Sequence, residues 1–129
     1  MTVAQSTGVF IGTDETTGVT VANNTTTTSS EIDLLGGTTF LGEANLFLKY
    51  TSTVTAGTIE VTLYPSRVTG QAYADVAPQV LIIPPINGTQ KVYIARFPVG
   101  RYMNATVKNN ATGASATNVT LGYELFKLS

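Results

Sequence analysis

The sequence contains no cysteine, no histidine and no tryptophan. Without cysteine there is no disulfide framework, no thiol nucleophile and no thiolate site for zinc or an iron–sulfur cluster. Without histidine there is no imidazole base, no histidine–metal site and no Ser-His-Asp triad. Charge is scarce as well. Only 12% of the residues are charged, about half the usual share, and 7 basic residues against 8 acidic ones leave a formal net charge of -1. So small a basic complement argues against a large nucleic-acid footprint, and no nucleic-acid partner is expected. The longest apolar run, Val80 to Ile83 followed by Pro84-Pro85-Ile86, falls far short of a bilayer span, so no membrane partner is expected. Residues Met1 to Thr7 have neither a basic start nor an apolar centre, which does not read as a signal peptide and points to synthesis in a cytosol.

What is present is threonine, 23 of 129 residues, within a composition that is 43% hydrophobic. The length predicts one domain, residues 1–129. Asn-x-Thr triplets begin at Asn23, Asn24, Asn87, Asn104, Asn110 and Asn118. They are acceptors for glycosylation in an extracellular protein, or the product of turn-favouring Asn next to strand-favouring Thr, which is the expected origin here.

Strand patterns dominate, and no stretch sustains an i, i+3, i+4 apolar stripe. Gly57 to Pro65 alternates cleanly, with Ile59, Val61 and Leu63 inward and Glu60 and Thr62 outward. Ala44 to Thr55 reads as its antiparallel partner through a Thr55-Ala56-Gly57 hairpin, with Leu46, Leu48 and Tyr50 on one face. Gln90 to Phe97 alternates Val92, Ile94 and Arg96 against Tyr93, Ala95 and Phe97, and Pro98-Val99-Gly100 turns the chain. Arg101 to Lys108 sets Met103, Ala105 and Val107 on one face, Asn109 to Ser115 reads as a loop, and Asn118 to Leu128 carries Val119, Leu121, Tyr123 and Leu125 on one side.

Residues 1–40 are less regular and are expected to be partly extended. Val9-Phe10-Ile11 and Val19-Thr20-Val21 look like short strands, Asn23 to Ser30 reads as a mobile loop or connection, and alternation resumes from Ser30. Arg67 to Gln79 reads as a long crossover loop or one short helix. Short strands every eight to twelve residues predict an all-β sandwich or barrel with little or no helix.

Carboxylates are the acid–base groups that remain. Asp14-Glu15 sits in a turn-like segment. Glu31 and Asp33, two apart on a strand, point the same way, and such a pair could hold Ca²⁺ or act as a glycosidase dyad. The expected reading is a solvated strand face, because no calcium-loop motif accompanies it. Arg96, Phe97, Arg101 and Tyr102 flank one turn, with Tyr93 nearby, and form a basic–aromatic cluster. It could stack nucleic-acid bases, but a strand-end cluster pairing with acids is the simpler expectation. Gly36-Gly37 and the other glycines make no phosphate-binding pattern. No base is present to activate a serine or threonine, so no enzyme activity and no cofactor are expected.

The stretch Phe97-Pro98-Val99-Gly100-Arg101-Tyr102-Met103-Asn104-Ala105-Thr106-Val107-Lys108, its Asn109 to Ser115 loop and the strand Asn118 to Leu125 together have a familiar form. They resemble the closing hairpin of the capsid decoration, or cement, proteins of tailed-phage heads. In that family a Gly/Ala-Arg-Tyr strand runs into an Asn-Thr-Gly-rich turn and an alternating strand follows. The resemblance implies a single antiparallel β-sandwich of jelly-roll-like form. It implies a structural virion protein on the capsid exterior, made in the host cytoplasm, that bridges major capsid subunits as a homo-oligomer, with a trimer favoured. Val80, Leu81, Ile82, Ile83, Pro84, Pro85 and Ile86 are then candidate partner contacts, the alternative being a core strand that ends at a turn. A second expectation is a carbohydrate-binding or host-adhesion module of a head fibre or tail, with Tyr73 or Tyr93 as the sugar-stacking group. The lack of tryptophan counts against it.

Overall fold

Ile59, Val61 and Leu63, all fully buried, alternate with half-buried Glu60, Thr62 and Tyr64 along one strand. The same rule, one face apolar and one polar, builds almost every described element of the chain. The computed structural model describes residues 3–13, 17–34, 39–66, 69, 78–98, 100–111 and 113–128, with the side chains of 3–6, 39–43, 95–98 and 126–128 excepted. The expected turn at Asp14-Glu15, the Gly36-Gly37 pair, Tyr73 and nearly all of the Arg67 to Gln79 segment lie outside the described residues.

Among the described residues ten strands follow in order: β1 (Val3–Ile11), β2 (Val19–Val21), β3 (Thr26–Thr28), β4 (Ile32–Asp33), β5 (Thr39–Ser52), β6 (Ile59–Ser66), β7 (Gln79–Ile83), β8 (Gly88–Pro98), β9 (Tyr102–Asn109) and β10 (Ala116–Leu128). Among the described residues there is no helix. One sheet has the order β1-β10-β5-β8, with β2 also on β10; the other has the order β3-β9-β6-β7, with β4 also on β9. Every pairing is antiparallel. β1 and β2 occupy successive stretches of the same β10 edge, and β3 and β4 successive stretches of the same β9 edge. Counting each as one interrupted strand leaves eight positions, ordered 1-8-3-6 in one sheet and 2-7-4-5 in the other. That is the strand order of a jelly roll, and the chain is an all-β antiparallel sandwich.

The inward faces meet in one apolar core. Leu46, Leu48 and Tyr50 of β5 and Val119, Leu121 and Leu125 of β10 come from one sheet. Ile59, Val61 and Leu63 of β6 and Met103, Ala105 and Val107 of β9 come from the other. Burying side chains of this size contributes about 1.5–3 kcal/mol each. Asn109 is one of four buried polar residues among the described ones, with Ser52, Ser66 and Thr120. Its Nδ2 donates to the carbonyls of Val21 (3.0 Å) and Ala114 (2.8 Å), and its Oδ1 accepts from the Ala111 N–H (2.9 Å). Because Val21 belongs to the opposite sheet, this one amide ties the two sheets and the following loop together.

Three expectations require correction. β5 and β6 do not form a hairpin; they lie in opposite sheets, and residues 53–58 cross between them. Gly57 (φ +91°) passes so close to the next loop that a Cβ there would stand 2.1 Å from the Asn110 carbonyl oxygen. The closing segment is likewise no hairpin, since β9 and β10 belong to different sheets. Alternation dictates which face of a strand is buried and is silent on whether its neighbour in sequence lies beside it or across the core. Third, the Asn23 to Ser30 tract is not a mobile loop. Thr26 to Thr28 form β3 on Lys108, Val107 and Thr106, and Ser29 Oγ accepts the Ala105 N–H at 2.9 Å. Main-chain pairing and one hydroxyl anchor a segment that has no apolar side chain to bury.

Candidate functional site

The carboxylates on β4 and beside it engage different partners. Asp33 takes a two-pronged ion pair from Arg101 at the start of β9, Nε to Oδ1 at 3.2 Å and Nη2 to Oδ2 at 3.3 Å. Glu31 accepts a hydrogen bond from Thr69 Oγ1. The Asp33 hydrogen bond and charge hold the Arg101 guanidinium above its usual pKa, and the guanidinium lies 4.9 Å from the centre of the Tyr102 ring. Arg101 therefore joins β4 to the start of β9 through Asp33, with its guanidinium over the Tyr102 ring. Arg96 and Phe97 fall on β8 in the other sheet, and their side chains lie outside the described residues. Among the described residues, no three Asp or Glu side chains gather where a metal ion could be held.

The 80–86 run divides between two environments. β7 is an edge strand that pairs with β6 on one side only among the described residues. Ile83 and Pro85 are buried and Leu81 is half-buried, whereas Val80 (53% exposed), Ile82 (63%) and Ile86 (43%) face solvent. An uncharged apolar edge of this kind is the feature that soluble proteins ordinarily blunt with charge or proline. Here Pro84 and Pro85 end the strand but leave Val80 and Ile82 open.

The outer face of the β1-β10-β5-β8 sheet carries the second feature, a groove of about 470 Å³. Its floor is an aromatic row. Gly122 of β10, Phe47 of β5 and Tyr93 of β8 stand directly opposite one another across three strands. Phe47 covers Gly122, and Tyr93 is 60% exposed. On one side of the row, Asn45 Nδ2 donates to Glu124 Oε1 at 2.9 Å, and the Tyr93 hydroxyl reaches the same oxygen at 3.5 Å. Partial desolvation in the groove and then the Glu124 carboxylate raise the Tyr93 phenol above its ordinary pKa. On the other side Lys49 and Lys91 are directly opposed. Like charges in this position oppose strand pairing by a few tenths to about 1 kcal/mol.

Of these residues, sequence reasoning singled out Tyr93 as a candidate contact and not Phe47, Lys49, Lys91 or Glu124. One local signal existed: Phe47 is an apolar residue at an outward position of an alternating strand. The juxtaposition of β5 with both β8 and β10 had no local signal. No protein-family model matches the chain, and no curated protein matches its sequence.

Proposed function

We propose that the protein is a structural virion subunit that decorates and cements a phage capsid, bridging major capsid subunits from the outside without chemistry of its own. The observation that carries this reading is the apolar open edge of β7. Its main chain, unpaired on one side among the described residues, suits strand addition, and Val80, Ile82 and Ile86 supply apolar area to a neighbour. A jelly-roll sandwich is compatible with the role, although the same architecture serves capsid and lectin domains alike and does not choose between them. Association also adds burial to a small chain without disulfides. In this reading the subunits are homo-oligomeric, with a trimer favoured.

The test uses shells stripped of the protein and then reconstituted with it, with the native mass followed by light scattering. Restored resistance to heat or osmotic shock, lost when Ile82→Lys replaces the natural chain, is the expected result. Shells that neither bind the protein nor gain stability from it would sink the proposal. A second reading, the carbohydrate-binding or host-adhesion module, is favoured by one specific feature: the exposed Tyr93 ring above a polar-flanked groove.

A further inference from the structure

We propose that the outer face of the β1-β10-β5-β8 sheet is a binding site for an acidic saccharide, with a sugar ring on Tyr93 and its carboxylate or sulfate between Lys49 and Lys91. The proposal gives the adhesion reading its ligand class. It stands apart from the shell-decorating reading, because β7 lies in the other sheet.

Three features of the face converge on this ligand. The first is the lysine pair. Lys49 and Lys91 are cross-strand neighbours, and among the described residues neither has an ion-pair partner, so two positive charges face each other. A ligand anion placed there converts a repulsion into two charge-assisted hydrogen bonds. The second is the aromatic row. Phe47 and Tyr93 form a surface across neighbouring strands, one two-residue step along β5 from the lysines, so a ring on Tyr93 can carry a substituent to them. The third is the opposite flank. Glu124, which accepts from Asn45 and from the Tyr93 hydroxyl, puts a carboxylate at the far side of Tyr93. Carboxylate and amide groups beside an aromatic ring serve the hydroxyls of a sugar.

The same carboxylate decides against a nucleic acid. A basic–aromatic face could stack bases, but a phosphodiester chain crossing this groove would pass Glu124 and be repelled. A saccharide with one acidic substituent presents hydroxyls to Glu124 and its anion to the lysines. The groove volume, about 470 Å³, falls within the roughly 300–1,000 Å³ usual for small-ligand sites.

The experiment is equilibrium binding of the full chain to four probes: an oligogalacturonate, a sulfated glycosaminoglycan oligosaccharide, a neutral malto-oligosaccharide and a single-stranded oligonucleotide. One or both acidic saccharides should bind, more weakly as salt rises, and the neutral one roughly tenfold more weakly or less. Lys49→Gln with Lys91→Gln, and separately Tyr93→Ala, should each lower affinity roughly tenfold or more, while the lysine double variant melts no lower than the natural chain because a cross-strand repulsion is removed. Tyr93→Phe should retain most of the affinity, because the ring remains. The proposal is overturned if neither acidic saccharide binds, if the lysine double variant binds as the natural chain does, or if the oligonucleotide binds more tightly than either saccharide. Shell binding by the lysine variant should be unchanged, which separates failure here from failure of the cementing role.

Discussion

The ring of Phe47 lies against Gly122 so closely that a Cβ at position 122 would stand 2.0 Å from Cζ and 2.3 Å from Cε1 of that ring. The two residues are directly opposed on β5 and β10. A bare glycine in a strand interior costs order and packing, and the aromatic ring restores the packing by covering it.

Gly122→Ala should therefore lift Phe47 off the sheet, since the methyl group has no room beneath it. Overpacking of this kind costs about 1–3 kcal/mol. Urea unfolding of the variant should show that loss with an unchanged m-value. A second variant, Gly122→Ala with Phe47→Ala, should recover part of it. If Gly122→Ala alone is as stable as the natural chain, the close contact does not constrain the face.

Asn109 offers a sharper case. Its amide satisfies two carbonyls and one N–H from β2 and the following loop, all buried or partly buried. Asn109→Ala strands those groups, and each unsatisfied buried group costs about 1–3 kcal/mol. A loss of roughly 3 kcal/mol or more is expected, with faster amide exchange at Ala111, whose N–H loses its acceptor, as its local signature. Asn109→Asp should fall short of rescue, because a carboxylate cannot donate to the Val21 and Ala114 carbonyls.

How far the fold was legible in the sequence depends on what kind of information each feature required. The inward faces of β5, β6, β9 and β10 follow from alternation alone, and Leu46, Ile59, Met103 and Val119 are all buried where alternation puts them. Strand partners are another matter. The arches from β5 to β6 and from β9 to β10 look like hairpins locally, because Gly57 and the Asn109 to Ser115 loop supply turn chemistry whichever way the next strand goes. Thr26 to Thr28 lack any apolar residue, so nothing in their own composition marks them as a ladder on β9. The 80–83 run is uniformly apolar, with no polar contrast to divide Leu81 and Ile83 from the exposed Val80 and Ile82. The groove depended on strand neighbours far apart in the chain, and only Tyr93 and Phe47 left a local trace.

The tyrosines set an alkaline limit on stability. Burial raises the phenol pKa of Tyr50 and of Tyr123 above 10.0; for Tyr50 a hydrogen bond with the Ile86 backbone opposes this only in part. A group whose pKa is raised by folding contributes stability that is complete below its unfolded pKa and is lost as pH rises through the folded one. Stability should thus be level with respect to these groups up to about pH 9 and decline above about pH 10. Tyr50→Phe, which also removes the hydroxyl's bond to Gln90 Oε1, should lower the plateau and flatten the alkaline decline. Tyrosinate absorbance followed alongside circular dichroism provides the check. Complete ionisation of all six tyrosines below the pH at which structure is lost would contradict it.

The open edge yields the last prediction. Val80 and Ile82 point away from the core, so their replacement removes no internal packing, whereas Leu81 and Ile83 on the same strand support the sandwich. Val80→Lys and Ile82→Lys should leave the melting temperature of the isolated subunit within a few degrees of the natural chain's, as surface changes usually do. They should lower self-association or shell binding by roughly tenfold or more, because charge on an edge blocks strand addition. Ile83→Ala should do the reverse, destabilising the subunit by about 2–5 kcal/mol through a core cavity. Sedimentation of the two kinds of variant, at matched concentration and below both melting temperatures, separates the roles. Lysine variants that associate as fully as the natural chain would show that β7 is an edge without a partner.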